Sequence, residues 1–285
     1  MPSLEAEHKV LLDETLDFNK SEQYKLSILI SKNGLSFVIL DEQAKKIIAY
    51  KYQEIKNISH KKEYCFFLNR IFDTDEFLKY KYKKISIVYQ SSKSITIPSN
   101  LYLEDYKEQF FNLNLGLDSQ EIILSNSMPR LSAVKLFSIP KCIYEAINSH
   151  LQNFQIYHQS IFIIQSVLKN KALNTVYLNI DTHFFDLHVF NDKNLILDNS
   201  FKYKTKEDLL YYLLYTFEQL SLDSKKQKII LYSNFDVDQS MISTLQKYFG
   251  NLTMATLPKV FSYSYLFSKK DSLHLVNQIL ALECE

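Results

Sequence analysis

The chain has 285 residues, 46% of them apolar, with 33 Lys+Arg against 32 Asp+Glu and a formal net charge of +1. That apolar share suffices for a full core and excludes bulk disorder, while the near-neutral charge provides no global pull towards nucleic acid or acidic lipid. Glycine is the outlier: there are 3, where ~7% usage predicts about 20, and this scarcity argues against glycine-rich loops that cradle phosphates.

After a polar opening segment, Leu26 to Ile30 reads as a strand, and Asn33-Gly34 is the strongest hairpin signal in the chain. Leu35 to Leu40 returns, and Lys46 to Ile55 is a third strand with Ile48, Tyr50 and Tyr52 alternating on one face. From Lys61 to about Tyr80 the pattern is helical, followed by a short apolar strand from Ile85 to Tyr89. In the middle of the chain, Ser94 to Ile97 alternates up to Pro98, Leu103 to Leu113 is an amphipathic helix, and Glu121 to Ser125 and Ala133 to Ser138 are strands. Pro140 opens a helix with Ile143, Ile147, Leu151 and Phe154 on one stripe, and a further helix runs from His158 to Leu168. The polar stretch from Asn170 to Asn174 reads as a hinge.

The opening pattern then recurs. Val176 to Asp181 and Phe184 to Phe190 form a hairpin, Asn191 to Asn194 a tight turn, and Leu195 to Tyr203 a third strand. Thr205 with Asp208 three residues on is a capping-box pattern for a helix reaching Leu220, apolar almost all round and expected to be buried on more than one side. Lys228 to Tyr232 is the next strand, Asp238 caps a helix that Gly250 stops, Leu252 to Leu257 is a strand and Ser272 to Leu282 a last helix. The two halves match at an offset of about 150 residues, so the sequence predicts an internal duplication of a β-β-β-α-β unit.

That duplicated unit resembles the actin-like ATPase superfamily, which includes actin, Hsp70 chaperones, sugar kinases and bacterial pilus or divisome homologues. More closely, the segment from Val10 to Asp17, the strand at Tyr24 to Ile28 and the stretch Ile97-Pro98-Ser99-Asn100-Leu101 are similar to an uncharacterised bacterial domain-of-unknown-function family thought to carry this fold. The resemblance implies an α/β fold of two lobes, residues 1–165 and 166–285, each with a mixed sheet flanked by helices. It also implies where nucleotide chemistry would lie. Functional members place an aspartate and a glycine at the first hairpin of each half, and a Gly-Gly pair after a later strand for the adenosine. Here the first hairpin reads Ile30-Ser31-Lys32-Asn33-Gly34, without the aspartate; the second reads Ile180-Asp181-Thr182-His183, with a histidine at the glycine; and the adenosine position reads Tyr232-Ser233-Asn234. The degenerate positions Ser31, Asn33, Gly34, Asp181, His183, Ser233 and Asn234 therefore predict no catalytic residue, no cofactor and no metal.

Other chemistry is weakly signalled. Asp181 with Asp186 and Asp236 could imitate a nuclease carboxylate set, but a turn-capping role for Asp181 is the simpler reading. His183 and His188 are five apart in a hairpin and point to opposite faces, while His150 and His158 read as surface or half-buried residues. Cys65, Cys142 and Cys284 lack zinc spacing, and the first two read as small buried hydrophobes. Lys79 to Lys84 interleaves cations with aromatics but sits where a helix ends, so nucleic acid is not expected as a partner. The comb Phe261, Tyr263, Tyr265, Phe267 has the period of a strand face. The acidic start, Met1 to Glu7, lacks the apolar region of a signal peptide, and the densest apolar stretch, Leu209 to Phe217, is about half the ~20 residues of a membrane helix. The expectation is a cytoplasmic protein without membrane insertion. Its function is then that of a catalytically inactive actin-like binding or scaffold module with a protein partner or a second copy of itself. An ATP-switched protein with an atypical site is the alternative, and a nucleic-acid binder the second.

Overall fold

Strands form where β-branched and aromatic residues alternate, and in the computed structural model, which describes residues 8–55, 61–170, 174–233, 237–267 and 272–283, they assemble twice in one order. The first half runs β1 (His8–Leu12), β2 (Tyr24–Ser31), β3 (Gly34–Asp41), β4 (Lys46–Glu54), α1 (Lys61–Thr74) and β5 (Lys84–Tyr89). An inserted three-stranded sheet follows, made of β6 (Ser94–Pro98), β7 (Glu121–Met128) and β8 (Ala133–Pro140), with α2 (Lys107–Leu115) between its first two strands in sequence. Next come α3 (Lys141–His150), β9 (Phe154–His158) and α4 (Ser160–Asn170). The second half runs β10 (Thr175–Ile180), β11 (Phe184–Asn191), β12 (Asn194–Lys202), α5 (Lys206–Gln219), β13 (Lys228–Ser233), α6 (Gln239–Tyr248), β14 (Asn251–Met254), β15 (Ser262–Tyr263) and α7 (Ser272–Glu283).

The duplication is explicit in the pairing. Sheet one contains the path β4-β3-β2-β5-β9 and sheet two the path β12-β11-β10-β13-β14, so third, second, first, fourth and fifth strands occupy equivalent places. In each, the first three strands pair antiparallel and the last two join in parallel. The β2–β3 turn is Lys32-Asn33, and Gly34 after it has φ 152° with an ideal Cβ only 2.2 Å from the Gln53 carbonyl oxygen, so a side chain has no room there. One of the three glycines is thus spent on closing this hairpin against β4.

Alternation along β2 places Leu26, Ile28 and Ile30 in a cluster with α1 and α3, while Leu29 turns to the opposite face and packs with α4 and α7. In the second half Val176, Leu178 and Ile180 of β10 face α5 and α6, while Tyr177 joins the α4–α7 cluster. The result is five layers: α1 and α3, sheet one, α4 and α7, sheet two, α5 and α6. The central helices belong to both lobes. α7 contacts β2, β3 and β5 on one side and β13 on the other, and it is buried all round from Leu275 to Leu282.

Several expectations need correction. The stripe drawn through Phe154 is broken because α3 ends at His150, and residues 154–158 pair in parallel with β5 as a strand that helical spacing had hidden. His158 is completely buried, not at the surface. The helix after Lys61 stops at Thr74, where Asp75 caps a short 3-10 turn by accepting from Phe77 N. α5 has its capping box between Thr205 and Asp208, yet it is not buried on several sides, since Tyr211 and Tyr215 stand in solvent and stack on each other. The helices with that burial are α4 and α7. The aromatic comb is a strand only at Ser262–Tyr263, which adds to β4 of sheet one, while Tyr265 is exposed. Cys65 of α1 and Cys142 of α3 are joined in a disulfide, Cα–Cα 5.9 Å, where independent thiols had been expected. Asn234, Asp236, Cys284 and the middle of the 170–174 stretch lie outside the described residues.

Candidate functional site

Strand ends in an open α/β sheet leave a crevice where neighbouring connections diverge, and a cleft of about 600 Å³ lies at this place. Its walls come from the β2–β3 turn (Ser31, Lys32), the β10–β11 turn (Asp181, His183, Phe184), the end of β12 (Lys202) and the segment after β5 (Gln90 to Lys93). Tyr64 and Cys65 of α1, Glu121 of β7 and Ile143 of α3 close the first-lobe side.

The two hairpin turns touch each other. Asn33 Nδ2 donates to Thr182 Oγ1 at 2.9 Å, a bond between the equivalent turns Lys32-Asn33 and Thr182-His183. Each turn is braced from behind. Ser31 Oγ donates to the Gly34 carbonyl at 3.0 Å and its own carbonyl accepts from Tyr64 Oη at 2.6 Å. Asp181 N donates to Phe184 O at 2.8 Å, and the Asp181 carboxylate accepts from the Thr182 hydroxyl at 3.0 Å, the turn-capping role its sequence position suggests.

Burial dominates the electrostatics of Asp181 and pushes its carboxyl up to about 6, against the opposing Thr182 hydrogen bonds. Burial and the nearby Lys32 charge lower His183, so the imidazole facing the cleft is neutral at pH 7. The cations are lysines: Lys32, Lys202 and Lys93, the last paired with Glu121 at 2.8 Å. Burial also raises Tyr203, whose hydroxyl donates to the Asp181 carbonyl at 2.5 Å, to about 12. Among the described residues no group of three His, Cys, Asp or Glu could hold a metal ion.

Of the residues singled out from sequence, Ser31, Asp181 and His183 meet in the cleft. Asn33 supplies the bridge and Gly34 the tight approach to β4. Ser233 is buried beside Ile180 in the sheet and is not on the cleft wall. Of the carboxylates in the nuclease reading, Asp186 is buried and accepts from Gln159 at 2.9 Å, Asn179 at 3.2 Å and Ser200 at 2.5 Å, and Asp236 lies outside the described residues. His183 and His188 do separate, the latter bonding Asp198 in the interior at 2.9 Å. Sequence reasoning missed Tyr64, Gln90, Lys93 and Lys202. Gln90 directly follows an apolar strand, and that strand-end position is the signal that could have found it.

Behind the cleft a buried polar seam joins the lobes. Gln159 after β9 reaches Asp186 of β11, Asn277 of α7 reaches Asn179 of β10, and its neighbour Gln278 accepts from Ser36 Oγ of β3 at 2.7 Å. Lys135 of the inserted sheet pairs with Asp198 of β12 at 2.8 Å, and Thr96 bonds the same carboxylate. Burial alone would raise Asp198, but Lys135 and His188 hold it well below the usual carboxylate range.

No curated protein matches the sequence significantly. Among solved structures, a Bacteroides thetaiotaomicron protein with actin-like ATPase fold and unknown function is similar at TM-score 0.76 and 27% identity, over 85% of this chain and 94% of that one. PilM in the PilM–PilN type IV pilus biogenesis complex has TM-score 0.61 at 10% identity, over 93% and 99% of the two chains. The ethanolamine utilization protein EutJ from Carboxydothermus hydrogenoformans has 0.51 at 6%, over 95% and 92%. No helix among the described residues is long and apolar enough to cross a membrane. The family profile described as protein of unknown function (DUF3822) matches residues 13–252, and the chain belongs to that family, with an actin-like fold.

Proposed function

We propose that this protein is an actin-like binding module that does not turn over ATP and acts through a protein partner. The observation that carries this reading is the 2.9 Å bond from Asn33 to Thr182, which ties together the two turns that nucleotide-binding members of the superfamily are implied to close on phosphates. His183 adds a ring where such a turn needs glycine, and Ser31 stands where a metal-positioning carboxylate belongs. Loss of one such contact costs about 1–3 kcal/mol, and several together with steric exclusion outweigh what a nucleotide site can spare. PilM, of the same fold, occurs in complex with PilN, a precedent for partner binding on this scaffold.

A second reading is favoured by Lys32, Lys93 and Lys202 on the cleft wall, which suit an anion: an ATP-switched protein with an atypical site. Melting with and without millimolar ATP and Mg²⁺ decides between them. A ligand at 100 times its Kd adds about 2.7 kcal/mol, a shift of several degrees. The binding-module reading expects no shift; a shift abolished by Asp181→Ala would overturn it.

A further inference from the structure

The disulfide between Cys65 of α1 and Cys142 of α3 joins two helices that both contribute to the cleft wall. Cys65 is itself part of that wall, as is Tyr64 before it, and on α3 the contribution comes from Ile143, next to Cys142. Cys65 is 7% exposed; Cys142 is half-buried and does not line the cleft. The two sulfurs also differ in their place along a helix. Cys65 is the fifth residue of α1, whereas Cys142 is the second residue of the ten-residue α3. The unbonded amides of a helix's first turn stabilise a thiolate, so Cys142 is the better leaving group of the pair.

The cleft that Cys65 lines presents positive charge. Lys32 of the β2–β3 turn and Lys202 at the end of β12 are exposed, and among the described residues neither forms an ion pair. Of the two carboxylates on the wall, Glu121 is paired with Lys93 at 2.8 Å, and Asp181 is 5% exposed and accepts from the Thr182 hydroxyl. At about 600 Å³ the cleft falls within the ~300–1,000 Å³ of small-molecule sites. Cations in such a cleft raise the local concentration of an anionic nucleophile, and they favour the thiolate over the thiol. The sulfur that reaches this space is the one whose partner leaves more readily.

From this we infer that the Cys65–Cys142 disulfide is an exchange site, opened from the cleft by a low-molecular-weight thiol whose carboxylates are drawn in by Lys32 and Lys202. The incoming thiolate attacks Cys65 Sγ. The S–S bond breaks, its electron pair leaves on Cys142 as a thiolate, and a mixed disulfide forms on Cys65. A second small thiolate then attacks the small molecule's own sulfur in that mixed disulfide, which releases Cys65 as a thiolate and the small molecule as its symmetric disulfide. The protein pair is thereby reduced, two small thiols are oxidised, and the protons are exchanged with water. Reduction leaves α1 and α3 joined by packing alone. Tyr64 on α1 holds the Ser31 carbonyl of the first hairpin at 2.6 Å, so the state of the pair bears on a turn of the cleft. This inference goes beyond the binding-module reading and does not rest on it.

The test uses the full chain in a Cys284→Ser background, with glutathione as the anionic thiol, 2-mercaptoethanol as the neutral one and cysteamine as the cationic one. Reactions are quenched with iodoacetamide, the cysteine peptides are mapped by mass spectrometry, and rates are expressed per thiolate. Glutathione should be found on Cys65 with the alkyl group on Cys142. It should react about tenfold or more faster than cysteamine, a preference that shrinks with added salt. Lys32→Met/Lys202→Met should remove the preference and leave the 2-mercaptoethanol rate unchanged. Both lysines are exposed, so melting of that variant should match the parent protein. Glutathione on Cys142 instead, equal rates or a faster cysteamine reaction, or a preference that survives the double replacement would overturn the inference. So would two free thiols in protein isolated under air, or a disulfide that opens only in denaturant.

Discussion

Replacing Asp181 by asparagine should stabilise this protein at neutral pH and have little effect at pH 4. The carboxyl is 5% exposed and its folded value is about 6 against an ordinary 3.8, because burial outweighs the hydrogen bonds from Thr182. A group raised in this way favours the folded state most when protonated; that contribution is complete below the unfolded value and is lost as pH rises through 6. The difference between about 6 and 3.8 corresponds to roughly 3 kcal/mol at ~1.36 kcal/mol per pH unit. Asparagine keeps an acceptor for the Thr182 hydroxyl and N–H but accepts more weakly, which returns about 1 kcal/mol. The net gain above pH 7 is therefore about 1–2 kcal/mol, or a melting increase of several degrees. Urea titrations of both proteins between pH 4 and 8 measure it. Asp13 and Asp198 do not confuse the result, because both are depressed by cationic neighbours and lose their contributions below this window. A variant less stable than wild type at pH 7.5, or a difference constant across the titration, would show that the buried carboxylate is held by compensating contacts and that the reasoning about the turn is wrong.

Two further perturbations probe the frame around the cleft. Lys135→Met leaves Asp198 buried with His188 and Thr96 as its remaining partners, and should cost about 3–5 kcal/mol in urea unfolding; a loss below about 1 kcal/mol would mean water reaches the site. Cys142→Ser opens a loop closed across a sequence separation of 77, worth roughly 4 kcal/mol by chain entropy. The deficit should disappear when both proteins are unfolded in excess reductant, and a deficit that persists there would instead report lost packing between α1 and α3.

The strands other than β1 and β9 were legible because they rest on local signals: alternation, the Asn33-Gly34 turn, the capping box at Thr205 and the repeat of the pattern after about 150 residues. Burial of helices was not, because α5 and α7 have similar apolar content and only the second sheet's closure over α4 and α7 decides which is enclosed. β9 was hidden for a related reason. Its first residue, Phe154, continues the helical spacing of Ile143, Ile147 and Leu151, and the five residues become a strand by pairing with β5. At the site, Ser31, Asp181 and His183 could be placed by their hairpins, which are sequence-local. Lys93, Lys202 and Tyr64 come to the same cleft from three other elements, and no spacing in the chain encodes that meeting.

The Asn33–Thr182 bridge is the weakest of the contacts that hold the two sheets together at the cleft. Opening the cleft would break that half-exposed bond at a cost near 1 kcal/mol, which is easily met. The same motion would also have to part Gln159 from Asp186 and Lys135 from Asp198, and these groups are buried, so each would leave an unpaired polar or charged partner at about 1–3 kcal/mol or more. α7 raises the barrier further, since consecutive residues Asn277 and Gln278 bond opposite sheets and a hinge between the lobes must tear one of them away. Here the chain's own side chains make the bridge between the sheets.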